Sequence, residues 1–272
     1  MTAASDGLGW AQGYCCRGWR VVPIPPGQKR PTLPGWPALV VKPDDVPLLF
    51  RSGENVAVLL GGKSGALVDV DLDCPEAIEL ADLYLLKTGA EFGRKSKPRS
   101  HRLYIAPAAQ HETFADPVSG GMLVELRTDG REGGAHLSLL PPSIADGERR
   151  EWHGNTIAPI VISAAVLRHA TAWLAVACLV MRYIGEHPAR QPGPDLPRLL
   201  WEIDHELGRP AYRWLGMPPP DAPQRFPRKR SNLSDHDLNL AEIVAAIPND
   251  FGWEEWNRAG LASDLRRISR IR

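Results

Sequence analysis

Three carboxylates alternate with apolar residues in GALVDVDLDCPEA, residues 65–77: Asp69, Asp71 and Asp73. In an extended chain residues i, i+2 and i+4 share one face, so all three are expected on the same side of a strand. Like charges that close repel and raise one another's pKa. A divalent cation such as Mg²⁺, which favours carboxylate oxygens, relieves the repulsion. The apolar lead-in of Leu67 and Val68 favours a metal site over the alternative, a strand end whose aspartates face water. A second feature, GRKSKPRSHRLY (93–104), carries Arg94, Lys95, Lys97, Arg99, His101 and Arg102. Such a cluster suits phosphate, with a histidine at the strand entry able to hold a triphosphate; the other reading is a solvated basic loop. A third, MLVELRTDGREGG, sets Glu125 in an apolar strand with Arg127 on the same face, which alone reads as a paired surface glutamate. The order acidic strand, basic histidine segment, acidic strand is more specific than any member.

The elements that must position these groups follow from punctuation and periodicity. Short β-like runs, WRVVPI and NVAVLL, are separated by the Gly- and Pro-bearing PPGQKRPTLPGWP, and GALVDVDLD is a further strand. PEAIELADLYLLKTG reads as a helix with Pro75 near its start and Gly89 at its end. SHRLYIA, GMLVELRT and AHLSLLPPS have strand composition, and this strand-rich part ends near EWHGN (151–155). Helical periodicity then takes over in SAAVLRHATAWLAVACLVMRYI and LPRLLWEIDHELG. The expected organisation is a catalytic domain over 8–158, a helical region over 159–216, a Pro-rich basic linker over 217–232 and a helical segment over 233–272.

Composition narrows the class. Formal net charge is +0 over 272 residues, so no global field draws the chain to nucleic acid and any such binding must use local patches. The four cysteines form no C-x-x-C pair, which offers neither a zinc framework nor a disulfide set and fits a reducing cytoplasm. No signal peptide is expected. The most apolar run, ATAWLAVACLVM (170–181), is too short to span a bilayer and reads as a buried helix, so no membrane partner is expected. GGKSG (61–65) contains Gly-Lys-Ser but lacks the P-loop spacing, so helicase activity is not expected of this chain.

Taken in order, these motifs resemble the N-terminal primase–polymerase domain of bifunctional DNA primase/polymerases, of the archaeo-eukaryotic primase superfamily. LVDVD is similar to the family's hhhDhD motif through Asp69 and Asp71. RSH is similar to its small-x-His motif at His101, with Arg99 in the place of the small residue. VELR is similar to its third motif at Glu125, where many members carry Asp. RGWRVVPIPPGQKRP and GENVAVLLGGKSGALVDVD resemble the opening segment, and PPSIADGERREW the closing one, with Ala145 where a histidine is usual. The resemblance covers roughly residues 8–155, and LAEIVAAIPNDFGWEEWNRAGLA resembles the start of a primase C-terminal helical domain.

The resemblance implies an α+β fold, a palm-like antiparallel sheet carrying the acids, followed by a helical C-terminal region. It implies that Asp69, Asp71 and Glu125 hold Mg²⁺ or Mn²⁺ and that His101, with Arg99, holds the phosphates of a nucleoside triphosphate. Lys29 and Arg127 are further candidates for phosphate or template contact, and Asp73 is expected to cap the following helix. The implied activity is primer synthesis or extension on a DNA template and primer, in replication of a plasmid, phage or integrated element. A helicase, in a longer or separate chain, is the implied partner. Two rivals stand beside this reading: a catalytically silent DNA-binding module of the same fold, and a template-independent nucleotidyltransferase.

Overall fold

The computed structural model describes residues 7–129, 134–184, 200–201 and 205–218. The expected linker over 217–232 lies outside these residues except for its first two, and the helical segment over 233–272 lies wholly outside them. The chain opens with helix α1 (Gly7–Cys16), strand β1 (Val21–Ile24), a short helix α2 (Val46–Leu49) and β2 (Asn55–Leu59). It continues through β3 (Leu67–Leu72), α3 (Pro75–Tyr84), β4 (Gly89–Arg94), β5 (Lys97–Ile105), β6 (Glu112–Ala115) and β7 (Met122–Arg127). Then follow β8 (Leu137–Leu140), β9 (Ile144–Ala145), β10 (Glu148–Ala158), β11 (Ile160–Val161), α4 (Ala164–Ile184) and α5 (His205–Trp214). The mixture of antiparallel sheets and helices is the expected α+β class.

Two sheets carry the strands. The smaller has the order β1-β2-β8, and the larger β6-β7-β3-β5-β4-β10-β9, with β11 added in parallel to β5. Period-two alternation explains why the small sheet is apolar on both faces. From β2, Val56 and Val58 enter one buried cluster with Tyr14, Trp19, Phe92 and Leu103, while Ala57 and Leu59 enter another with Val22, Ile24 and Leu139. Polar anchors tie the strand ends. Asn55 donates to the carbonyls of Gln28 and Ile144 and accepts from the Ile144 amide, while Ser143 of the PPS segment accepts from the Val56 amide. Tyr14 donates to the Pro141 carbonyl at 2.6 Å and accepts from the Trp152 indole at 2.8 Å.

The basic segment 93–104 lies in a β-hairpin: the strand expected from Ser100 begins earlier, at Lys97, as β5, and pairs antiparallel with β4 through Glu91↔Arg102 and Phe92↔His101, with a register shift before Arg94↔Lys97. Gly93 and Arg99 make the shift possible. A Cβ on Gly93 would stand 2.4 Å from the Lys97 carbonyl oxygen, and Arg99 adopts a left-handed φ of 53°, where β5 sets three residues against the single Gly93 and so accommodates two extra ones. The helix expected to reach Gly89 stops at Tyr84, and Gly89 instead opens β4, where a Cβ would lie 2.9 Å from the Thr156 hydroxyl. Residues 151–155, expected to close the strand-rich part, lie inside the long β10.

The chain divides into two compact units. One comprises the described residues up to Asp73, Leu86–Thr113 and Glu125–Ala164; the other comprises Cys74–Leu85, Phe114–Val124 and the described residues from Ala165 onward. In the second unit two side-chain links tie α4 to the start of α3. The Cys178 and Cys74 thiols share a hydrogen bond, and Arg182 grips Glu76 with two bonds of 2.9 Å while donating to Asp116 at 2.7 Å. Burial opposes ionisation of Asp116, yet Arg182, local amides and Tyr183 hold its carboxyl well below the ordinary range; hydrogen bonding from Arg182 brings Glu76 down to about 2. Phe114 packs edge-on against Trp214, whose carbonyl accepts from Arg168. At 21 residues α4 is longer than its apolar run implied. Its length and composition would allow a membrane crossing, but 61% of the apolar window is buried.

Candidate active site

Antiparallel pairing of β3 with β5 sets Asp69 opposite Leu103 and Asp71 opposite His101. The acidic strand and the basic hairpin therefore meet side by side in the first unit. Asp69 is fully buried, in the middle of the strand, whereas Asp71 stands one pleat nearer the exit. The His101 ring lies flat on Phe92, centroids 4.5 Å apart, with Nδ1 3.1 Å from Asp69 and 3.6 Å from Asp71. Ser138 of β8 donates a short hydrogen bond to the same Asp69 carboxylate.

Arg127 stands among the acids. Its Nη1 lies 3.4 Å from Asp71 and 3.7 Å from Asp69, its Nε lies 3.6 Å from Glu125, and its Nη2 donates to the Leu137 carbonyl at 2.7 Å. Expected as a phosphate or template contact, it serves here as the acids' internal counter-ion. The charges sort accordingly. Burial works to raise the Asp69 carboxyl, but His101, Arg127 and Ser138 together hold it below its ordinary value. For Asp71 burial prevails, reinforced by Asp69 and Asp73, and the carboxyl is raised despite His101 and Arg127. Glu125 is likewise raised, by burial first and then by the three aspartates, against the pull of Arg127. Burial disfavours the charged His101 ring, yet Asp71 and Asp69 outweigh it and raise the imidazole above its usual value.

Three oxygen-donor groups lie close enough to hold one cation: Asp71, Asp73 and Glu125, with ligand atoms within 4.8 Å of one another. An all-carboxylate set of this kind fits Mg²⁺ or Mn²⁺. Burial is the first cause of the raised Asp71 and Glu125 carboxyls, and the neighbouring aspartates add to it. Asp69, expected in the set, instead has its oxygens against His101 and Ser138. Asp73 departs from expectation as well. The α3 N-cap position falls on Cys74, with no side-chain cap bond, because β3 ends at Leu72 and the helix starts only at Pro75. Asp73 therefore keeps the face of Asp71 and pairs with Lys97 at 3.1 Å.

The remaining expected residues are placed apart from this group by their partners. Arg99 donates to Glu91 at 2.7 Å, and the buried Glu91 also faces Arg102 at 3.6 Å. Lys29 pairs with Asp146 on an exposed surface. Sequence reasoning missed Ser138, His111 and His136. Ser138 alternates correctly in AHLSLL, but its approach to Asp69 depends on β2–β8 pairing, which no local pattern reveals.

Carboxylates and a histidine thus stand on neighbouring strands of one antiparallel sheet. The model of the bifunctional DNA primase/polymerase N-terminal domain matches residues 11–165, more than half of the chain, and the chain belongs to that family. Membership implies a nucleotidyltransferase-type enzyme whose substrates are DNA and nucleotides. No curated protein matches the chain.

Proposed function

We propose that this chain is a metal-dependent DNA primase/polymerase that synthesises or extends primers during replication of a plasmid, phage or integrated element. The observation that carries the reading is the meeting of Asp71, Glu125 and His101 on neighbouring strands within the span matched by the family. Asp71 and Glu125 are the core of a site for Mg²⁺ or Mn²⁺. Asp69 is the third ligand implied by the family motif, and Asp73 the third offered by the geometry. When bound, such ions lower the pKa of a primer 3′-hydroxyl and stabilise a leaving pyrophosphate.

The chain's own residues position and neutralise, which is most of what phosphoryl transfer asks of a protein. Asp71 and Asp69 favour the protonated form of the His101 ring against the cost of its burial. Its Nδ1–H is held by Asp69, and Nε2–H remains to donate to a triphosphate oxygen. Phe92 fixes the plane of the ring. Arg127 balances the acids before substrate arrives and is then placed to follow the incoming phosphates. Arg99 and Lys29, each tied to a carboxylate, reach phosphate only by exchanging that partner.

Primer extension on a primed DNA template with Mg²⁺ or Mn²⁺ tests this directly. Asp69→Ala/Asp71→Ala protein, folded by circular dichroism, is expected to incorporate no nucleotide, and Asp73→Ala decides the third ligand: lost incorporation assigns it to Asp73, retained incorporation to Asp69. Full activity of the double variant overturns the metal assignment. Binding without incorporation by the wild type supports the silent module instead, and product independent of template sequence supports the template-independent transferase.

A further inference from the structure

Beside the three-carboxylate group lies a second set of donors with different chemistry. His111 immediately precedes β6, Glu125 lies in β7, and His136 immediately precedes β8. The His111 Nε2 stands 3.6 Å from Glu125 Oε1, and the His111 and His136 rings meet edge-to-face with centroids 4.2 Å apart. Glu125 divides its two oxygens: Oε1 turns to His111 and Oε2 to Arg127. The backbone of His136 is pinned by the Leu60 amide, which donates to its carbonyl at 3.0 Å.

We propose that His111, Glu125 and His136 form a binding site for a borderline divalent transition-metal ion, Zn²⁺ or Co²⁺, distinct from the carboxylate site and joined to it through Glu125. The spacing supports it. An ion bound tetrahedrally at about 2.1 Å from each donor holds those donors about 3.4 Å apart. That is close to the separation of His111 and Glu125, which exceeds an ordinary hydrogen bond. All three ligand atoms lie within 4.8 Å of one another, so a side-chain adjustment of about 1 Å completes the set. Ligand chemistry decides which ion. Imidazole nitrogen suits zinc, cobalt and their neighbours, whereas Mg²⁺ keeps to oxygen. Two imidazoles and one carboxylate leave a fourth position open, as in sites where metal meets solvent or substrate. The shared Glu125 couples the two sites, because an ion on one draws charge from the other.

The proposal is independent of polymerase activity and is tested by binding. The full chain is stripped of metal with a chelator, dialysed and titrated with Co²⁺, whose visible d–d absorption responds to imidazole ligation. One Co²⁺ is expected, displaced by Zn²⁺ and not by Mg²⁺. Affinity should fall by about tenfold or more in His111→Ala and in His136→Ala, since even indirect partners of metal ligands carry effects of that size. Asp71→Asn should leave the absorption band in place. Should an alanine variant not fold, the wild-type ring ¹⁵N signals answer the same question. Stoichiometric Zn²⁺ is expected to shift two of the eight histidines, assigned through His111→Gln and His136→Gln. A Co²⁺ band that survives loss of both histidines, or wild-type protein that binds no Co²⁺, overturns the site.

Discussion

Arg127→Met removes the internal cation of the acid cluster and keeps much of its apolar bulk. In the wild type the guanidinium lies 3.4–3.7 Å from Asp71, Glu125 and Asp69. At an effective dielectric near 20, one full charge pair at about 3.5 Å is worth about 5 kcal/mol before desolvation is subtracted. Breaking a buried pair by removing one partner costs roughly 3–5 kcal/mol in practice. A deficit of about 3 kcal/mol is therefore expected in chelator at pH 8, or about 6–12 °C in melting temperature for a chain this size. Divalent metal changes the comparison, because Arg127 competes with any cation for the same carboxylates. Without it Mg²⁺ should bind about tenfold more tightly, which returns about 1.4 kcal/mol at saturation. The assay is thermal and urea unfolding of both proteins in chelator and in a Mg²⁺ series. A deficit equal in chelator and in saturating Mg²⁺ would refute the view that arginine and metal neutralise the same acids.

Two further outcomes concern local structure. Glu76 and Asp116, both depressed by Arg182, stabilise the folded chain above the ordinary carboxylate pKa; that stability is lost as pH falls through their lowered folded values. For Glu76 the carboxyl is brought down to about 2, and after screening by solvent this contributes on the order of 1 kcal/mol, so urea unfolding from pH 6 to pH 2 should show an acid loss that is smaller in Arg182→Met. Gly93→Ala should cost on the order of 2–3 kcal/mol and reduce nucleotide incorporation, because its Cβ would meet backbone atoms of Lys97 and Arg99 at 2.4 and 2.6 Å. Gly13→Ala in α1, with open space around the new Cβ, is the control and should be neutral or stabilising by up to about 1 kcal/mol.

The sequence carried the strands best where alternation and burial agree. Val56 to Leu59 and Leu67 to Leu72 are read correctly because period-two side chains fill clusters on defined faces. Strand β4 and the start of β5 were hidden because they are dense in charge, and their basic residues find partners only across the sheet: Lys97 at Asp73, Arg99 at Glu91, Arg94 at Glu148. The motif order brought Asp71, His101 and Glu125 into one expected group, and the pairing of β3 with β5 explains why Asp71 and His101 lie together. Depth along the strand was not legible. Identical residues two apart share a face, yet Asp69 is wholly enclosed and Asp73 reaches Lys97, since solvent begins only where β3 ends. The counter-ion role of Arg127 and the pair of His111 with His136 arise from pairings between segments distant in the chain, which local periodicity does not encode.

The interrupted composition of the second unit has a consequence for synthesis. Its helix α3 is made early, but the residue that clamps it, Arg182, follows Glu76 by 106 positions. At about 5–20 residues per second a ribosome needs roughly 5–20 s to cover that distance. During the interval Glu76, at the start of the helix that carries the buried Ala77, Leu80 and Ala81, has no Arg182 to pair with. The emerging chain thus carries a helix whose first-turn acid stays without its guanidinium until α4 is made. Helix α4 then ties down the earliest-made part of its own unit.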